Sequence, residues 1–366
     1  MAKLLTAPLL ATAMLIGGAI PAAAEPDGDY IVVLGEQRAA PRFTGQVEHT
    51  FDTVINGFSA RMTATEARRL KTDPSVTRVA PDGQVQAFGQ QLNPPSWGLD
   101  RIDQRALPLD RVYNYPSDAV NVTAYVLDTG VRATHQDFGG RVRGGYDFVD
   151  KDTDPSDGNG HGTFVAGVIG GAKYGVAKGA TIVPVRVLND TGAGAKADIL
   201  AGIDWVAKNA HKPAIANMSF GGLADDTLDA AVRALIASGV SVSVASGASG
   251  TDAGQFSPAR VVEALTVASS DQLDRAPSNS NHGPLIDLYA PGVGITSAWS
   301  TSDTATVTIS GTSAASAHVA GGAAVFLARF PTATPAQVAR HLVATATIGR
   351  LAGVPMDTAN RLLYVN

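Results

Sequence analysis

Thr181-Ile182-Val183-Pro184-Val185-Arg186-Val187 is an almost unbroken apolar run, and Ala214-Ile215-Ala216-Asn217-Met218-Ser219 is another. Strands buried on both faces read this way, whereas half-exposed strands alternate. Between the two runs, residues 196–210 place Ile199, Ile203 and Val206 on one helical stripe. Strand, helix and strand in this order build a parallel pair with the helix packed across it. The alternation extends outward. Residues 122–127, 240–245, 264–267 and 286–289 have strand character. Residues 227–238 carry Leu228, Val232 and Leu235 on one stripe, with Gly239 as a stop, and a helix over 313–328 ends before Pro331. The expectation is an α/β fold: a parallel β-sheet flanked by helices on both faces. In such sheets functional residues gather at the carboxyl ends of the strands.

The chain has 366 residues, enough for two domains of about 150 residues each. It is 45% hydrophobic and 17% charged, which suits a sizeable buried core. Lys and Arg total 28 and Asp and Glu total 33, a net charge of −5, which argues against a nucleic-acid partner. There is no cysteine, so disulfides, thiolate metal sites, iron–sulfur clusters and a cysteine nucleophile are excluded.

Residues 1–24 read as an export signal. Lys3 gives a positive start, residues 4–20 are apolar, Pro21 breaks the run, and Ala22-Ala23-Ala24 supplies the small residues that signal peptidase accepts. The apolar run is at the short edge for a membrane span, so a cut after Ala24 and a secreted chain without a membrane anchor are expected. Residues 29–86 read as a small α+β unit. Strands are expected at 30–34 and 75–80, an alternating stretch at 51–62 turns at Asn56-Gly57, and a helix over 65–71 is capped by Thr63. Such a unit is marginal alone. Residues 87–97 are polar, contain Pro94-Pro95, and read as an exposed linker.

Three segments carry chemistry. Tyr125-Val126-Leu127-Asp128-Thr129-Gly130-Val131 ends a buried strand on a carboxylate, which must be paired or hydrogen-bonded there. Gly158-Asn159-Gly160-His161-Gly162-Thr163 puts a histidine at a helix start among glycines. Ser310-Gly311-Thr312-Ser313-Ala314-Ala315-Ser316-Ala317-His318 opens a helix of small residues with a serine, where free backbone N–H groups can hold an oxyanion. Each segment alone is weak, since a serine at a helix start is by default a cap. The order Asp, His, Ser is one of three chain orders of the serine hydrolase triad.

On these motifs the sequence resembles the subtilisin-like serine proteases (peptidase S8), in particular the proteinase K branch. Asn217-Met218-Ser219-Phe220-Gly221-Gly222, Tyr174-Gly175-Val176-Ala177 and Trp97-Gly98-Leu99-Asp100-Arg101-Ile102 are similar to that family as well. The resemblance spans residues 91–366, the peptidase domain. Residues 25–90 look like the matching inhibitor I9-type propeptide, with a cleavage expected between about Ala87 and Gln91. The resemblance implies a zymogen that acts on peptide and protein substrates, with its own propeptide as intramolecular chaperone and inhibitor. It implies Ser313 as nucleophile, His161 as general base and Asp128 as the group that orients the imidazole. Gly192, Ala193, Gly194, Ser219, Phe220 and Gly221 would flank an extended substrate, and Ala245, Ser246 and Gly247 would wall the first specificity pocket. A monomer is expected.

The sequence departs from the family at Ala248. The family places an asparagine there, whose amide donates to the tetrahedral intermediate, and alanine cannot donate. In a member of this family the loss of that donor costs about 10²–10³ in turnover. A slower endopeptidase is expected; the alternative is a catalytically impaired homologue that binds peptides or partners. Ser246 or Ser249 is a candidate for a substitute hydroxyl. Phe164, Ala314 and Ala317 replace a histidine, a methionine and a proline, and the propeptide's first helix is nearly absent between Gly35 and Val47.

Other features carry less. Gly192-Ala193-Gly194-Ala195-Lys196-Ala197 fits a loose dinucleotide fingerprint without its acidic partner. Asp147, Asp150, Asp152, Asp154 and Asp157 form an acidic loop that departs from an EF-hand at Pro155 and His161. By resemblance, structural calcium is expected at Asp287 with the carbonyls of Val262 and Ala264. No cofactor is expected for catalysis. His318 reads as a packed structural histidine.

Overall fold

The computed structural model describes residues 27–35, 41–82 and 89–365. The expected export signal and part of the expected cleavage segment lie outside the described residues, as do residues 36–40 of the shortened propeptide segment. The chain forms two compact units, Met1–Val85 and Gln86–Asn366.

In the first unit, β1 (Gly28–Leu34) pairs antiparallel with β3 (Gly57–Met62) and β4 (Val76–Pro81), and β2 (Val47–Phe51) pairs with β3. The helix α1 (Ala64–Lys71) starts where expected, with the Thr63 hydroxyl accepting the Glu66 N–H at 3.2 Å. Tyr30, Val32, Phe58, Ala60 and Leu70 form its small core.

The second unit opens on β5 (Gly89–Leu92), α2 (Trp97–Ile102) and β6 (Val112–Tyr115). Here the exposed-linker reading fails. Gly89–Leu92 pairs antiparallel with Val112–Tyr115, and Gln91 Nε2 donates to the Lys173 carbonyl at 2.9 Å. Polar side chains that bond to distant backbone are invisible to a reading of local composition.

A nine-stranded sheet follows. Its strands are β7 (Thr123–Asp128), β8 (Tyr146–Asp147), β9 (Thr181–Arg186), β10 (Ala214–Met218), β12 (Ser241–Ala245), β14 (Leu265–Ser270), β15 (Leu288–Pro291), β18 (Thr347–Ile348) and β19 (Arg361–Leu362). The order is β18-β19-β15-β14-β12-β10-β7-β9-β8, and every pair is parallel except β18 with β19. Short ribbons form from β11 (Gly222–Leu223) with β13 (Phe256–Ser257), and from β16 (Ile295–Ala298) with β17 (Thr306–Ile309).

Helices cover both faces, as expected. Ala124 and Val126 of β7 face a core shared with α3 (His161–Gly170), α6 (Thr312–Arg329) and α7 (Pro335–Thr345). Tyr125 and Leu127 of the same strand face a core shared with α4 (Lys196–Asn209) and α5 (Asp226–Ala237). The period-two alternation of a strand therefore feeds two cores. The small residues of α6 let it run through the interior: at Gly321 a Cβ would sit 2.5 Å from Val176. Phe164, Ala314 and Ala317 are all buried in the first of these cores. The chain places β8 and β9 on one side of β7, then returns to place β10 on the other. That reversal is a topological switch point, the place beyond the strand ends where open α/β sheets bind their ligands.

Candidate active site

Three neighbouring strands end at this switch point. Asp128 is the last residue of β7, Ser219 follows β10, and the 246–248 segment follows β12. Asp128 is fully buried, and its Oδ1 accepts from the Thr129 N–H at 2.8 Å. The same oxygen lies 2.7 Å from His161 Nδ1, across a separation of 33 residues. An imidazole so held carries its proton on Nδ1 and presents Nε2 as an acceptor. Burial pulls the His161 pKa down, but the charge and hydrogen bond of Asp128, with the charge of Asp157, outweigh burial and leave it raised.

Glycine is required on both sides of His161. Gly160 has φ +114°, and a Cβ there would sit 2.4 Å from the Trp299 ring. At Gly162 a Cβ would lie 2.1 Å from the Gly130 carbonyl, so only glycine lets α3 approach β7 this closely.

Ser313 is the second residue of α6, just past the Gly311 cap. Its N–H belongs to the helix end, where N–H groups have no intrahelical partner, and no hydrogen bond among the described residues uses it. Its Oγ donates to the Ser219 carbonyl at 3.2 Å, and no hydrogen bond joins it to His161. A polar network anchors the helix beneath. Ser219 Oγ donates to the Ser313 carbonyl at 3.1 Å, Asn217 Nδ2 donates to Ser219 Oγ at 2.8 Å, and Ser316 Oγ donates to Asn217 Oδ1 at 2.6 Å. Buried polar groups satisfied in this way fix one arrangement of the helix. Sequence reading had no signal for Ser316 beyond its hydroxyl.

Ala248 is exposed beside this helix start, where the Gly247 N–H donates to Thr312 Oγ1 at 3.1 Å. The Ser246 hydroxyl is buried, 3.5 Å from the Gly247 and Asn281 carbonyls, so it is turned inward. Ser249 is exposed, and its N–H donates to Asn281 Oδ1 at 2.8 Å. Ala245 is buried and Gly247 half-buried. Phe220 is half-buried, and Gly221 is exposed. Gly192, Ala193 and Gly194 lie in an exposed turn closed by the Asn189 side chain, and Asn159 Nδ2 joins that turn to the His161 segment through the Asp190 carbonyl at 2.8 Å.

The acidic loop does not converge. Asp147 and Asp150 bind Arg186, and Asp154 accepts from Ser156. Burial pushes the Asp287 carboxyl up to about 6, and its Oδ2 accepts the Thr266 N–H at 2.8 Å. No three His, Cys, Asp or Glu side chains cluster among the described residues, so a cation at Asp287 would rest on one carboxylate with carbonyls and water. That oxygen-only set suits a hard cation such as calcium. His318 is fully buried and donates from Nδ1 to the Ala314 carbonyl at 2.8 Å. A cavity of about 840 Å³ lined by Thr123, Thr181 and Trp205 lies at the opposite ends of the strands and shares no residue with this site.

Residues 120–361 match the subtilase family of peptidases. The chain belongs to the subtilase family. Residues 36–88 of this subtilase match the peptidase inhibitor I9 family. The subtilase is 47% identical over 350 residues to an extracellular serine proteinase of Thermus sp. (strain Rt41A), covering 94% of this chain and 85% of that one. It is 37% identical over 350 residues to proteinase R of Parengyodontium album, covering 92% and 88%. A crystal structure of a cold adapted subtilisin-like serine proteinase matches with a TM-score of 0.72 and 52% identity, covering 74% of this chain and 98% of that chain. The subtilase is a serine peptidase of subtilisin-like fold with an inhibitor-type domain at its amino-terminal side.

Proposed function

We propose that this subtilase is a secreted endopeptidase, made as a zymogen that removes its own inhibitor domain, and that Asp128, His161 and Ser313 carry the reaction at a rate lowered by Ala248. The observation that carries the reading is the 2.7 Å contact between Asp128 and His161 Nδ1, at the strand ends where Ser313, in the first turn of α6, meets the Ser219 carbonyl. Ser313 Oγ attacks the scissile carbonyl carbon and gives its proton to His161 Nε2. His161 then protonates the leaving amine, and water hydrolyses the acyl-enzyme by the same route. Asp128 stabilises the imidazolium. The Ser313 N–H donates to the developing oxyanion, and the second donor is missing at Ala248. The exposed 192–194 turn and Ser219-Phe220-Gly221 would flank the substrate, with Ala245, Ser246 and Gly247 as a wall of the first pocket.

The names of relatives support secretion, since one is called extracellular. Residues 1–24 would supply the export signal. Calcium would bind Asp287 with the Val262 and Ala264 carbonyls and serve stability, not catalysis. The second reading, a weakened homologue that binds peptides, is favoured by Ala248 and by the Ser313 hydroxyl turned to Ser219.

Mass analysis of secreted wild type beside Ser313→Ala separates the two. The wild type is expected to lose the segment up to about residue 90 while the variant stays whole. Both remaining whole while folded would favour the binding reading.

A further inference from the structure

Asp157 is the one member of the acidic loop that reaches the site, and its carboxylate is saturated. Oδ1 accepts from Thr129 Oγ1 at 2.9 Å, Asn159 N–H at 3.0 Å and Gly160 N–H at 2.7 Å. Oδ2 accepts from the Thr163 N–H at 2.9 Å and from Thr163 Oγ1 at 2.5 Å. These donors come from three places: the residue after Asp128, the turn before His161, and the first turn of α3. Gly160 caps α3 without a side chain, so Asp157 supplies the anion that the positive end of the helix favours. The tie continues through Thr129 Oγ1, which accepts the Gly162 N–H at 2.9 Å. Residues on both sides of His161 are thus fastened to the residue beside Asp128.

We infer that Asp157 is the positioning residue of the Asp128–His161 pair, locking the end of β7 to the start of α3 so that the imidazole meets Asp128 at one distance and angle. The inference rests on reading Asp128, His161 and Ser313 as the catalytic groups. Hydrogen bonds to an ionised acceptor are the strong ones, so five of them hold this joint more firmly than neutral contacts would. Two charged groups act on His161, Asp128 from β7 and Asp157 from the preceding turn, and both favour the imidazolium. Asp157 therefore has a second effect that a purely structural residue lacks.

The test is the pH dependence of kcat and KM on a peptide p-nitroanilide for wild type, Asp157→Asn, Thr129→Val and His161→Ala. In Asp157→Asn an amide NH₂ faces backbone donors in either orientation, and the charge is gone. This variant is expected to lose up to about 10²-fold in kcat with little change in KM, the cost of a misplacement of about 1 Å. Its acid limb should also move to lower pH. Thr129→Val keeps the charge and cuts the tie, so kcat should fall while the acid limb stays in place. Wild-type kcat and limb in Asp157→Asn would overturn the inference, as would a fall in kcat with an unmoved limb and a normal Thr129→Val. Should Asp157→Asn fail to fold, Thr129→Val decides: a lower kcat at unchanged KM supports the inference, and unchanged kcat overturns it. His161→Ala with wild-type rates would break the catalytic reading itself, and the inference with it. An inactive His161→Ala beside a normal Asp157→Asn breaks the inference alone.

Discussion

In the proposed mechanism a donor at position 248 matters only when the carbonyl oxygen becomes an oxyanion, so it lowers the barrier without tightening substrate binding. Ala248→Asn is therefore expected to raise kcat by up to about 10²–10³ and leave KM nearly unchanged. Unchanged kcat in steady-state assays would mean that position 248 does not face the oxyanion. In the proposed mechanism His161 must be neutral to accept the Ser313 proton, and its pKa is raised by Asp128 and Asp157 against the opposing effect of burial. Activity should fall with acid through a midpoint above the ordinary histidine value, as a kcat/KM profile of the processed enzyme will show. Asp128, His161, Ser313 and Ala248 could be singled out as candidates because each sits in a local motif. The direction of the Ser313 hydroxyl, the inward turn of Ser246 and the bond from Thr129 to Asp157 were not legible. They depend on groups that only the folded chain brings together.

Among the elements, α6 holds a pH liability. Burial pushes the His318 pKa down to about 4, whereas the unfolded chain protonates near the ordinary 6.5. Between those values the unfolded state binds more protons, so stability falls as pH drops across that window, by roughly 3 kcal/mol at full protonation. Urea unfolding of the Ser313→Ala protein at stepped pH should show that slope, and His318→Asn should flatten it. The six longer strands of the main sheet were read within about three residues because buried parallel strands are continuous apolar runs. The strand Gly89–Leu92 was missed because its partners lie in 112–115 and its side chains are polar. The helix Pro335–Thr345 was missed as well, although Thr334 and Gln337 form a reciprocal cap with Pro335 at the first position, a signal present in the sequence.

At the scale of the whole molecule, a chain without cysteine holds a nine-stranded sheet by packing alone unless an ion assists. Calcium is expected to stabilise the Ser313→Ala protein by about 2.7 kcal/mol at a hundredfold excess over Kd, raising its unfolding midpoint, and to leave Asp287→Asn unmoved. Calorimetry with and without chelator checks this, and equal shifts in both proteins would remove Asp287 from the site. Fold class was legible from the alternation of apolar runs and helical stripes. The number of sheet strands was not, because β8, β18 and β19 have two residues each and carry no periodic signal.

The pairing of Gly89–Leu92 with Val112–Tyr115 would bear on the life of the enzyme once the proposed processing has released it. A newly cut chain end is ordinarily a loose thread that aminopeptidases shorten residue by residue. Here the thread is stitched down at four successive positions, from Gly89 opposite Tyr115 to Leu92 opposite Val112. An exopeptidase must unpick that ladder before it can advance, so a mature end left by a cut within 87–91 should resist trimming at whichever rungs remain.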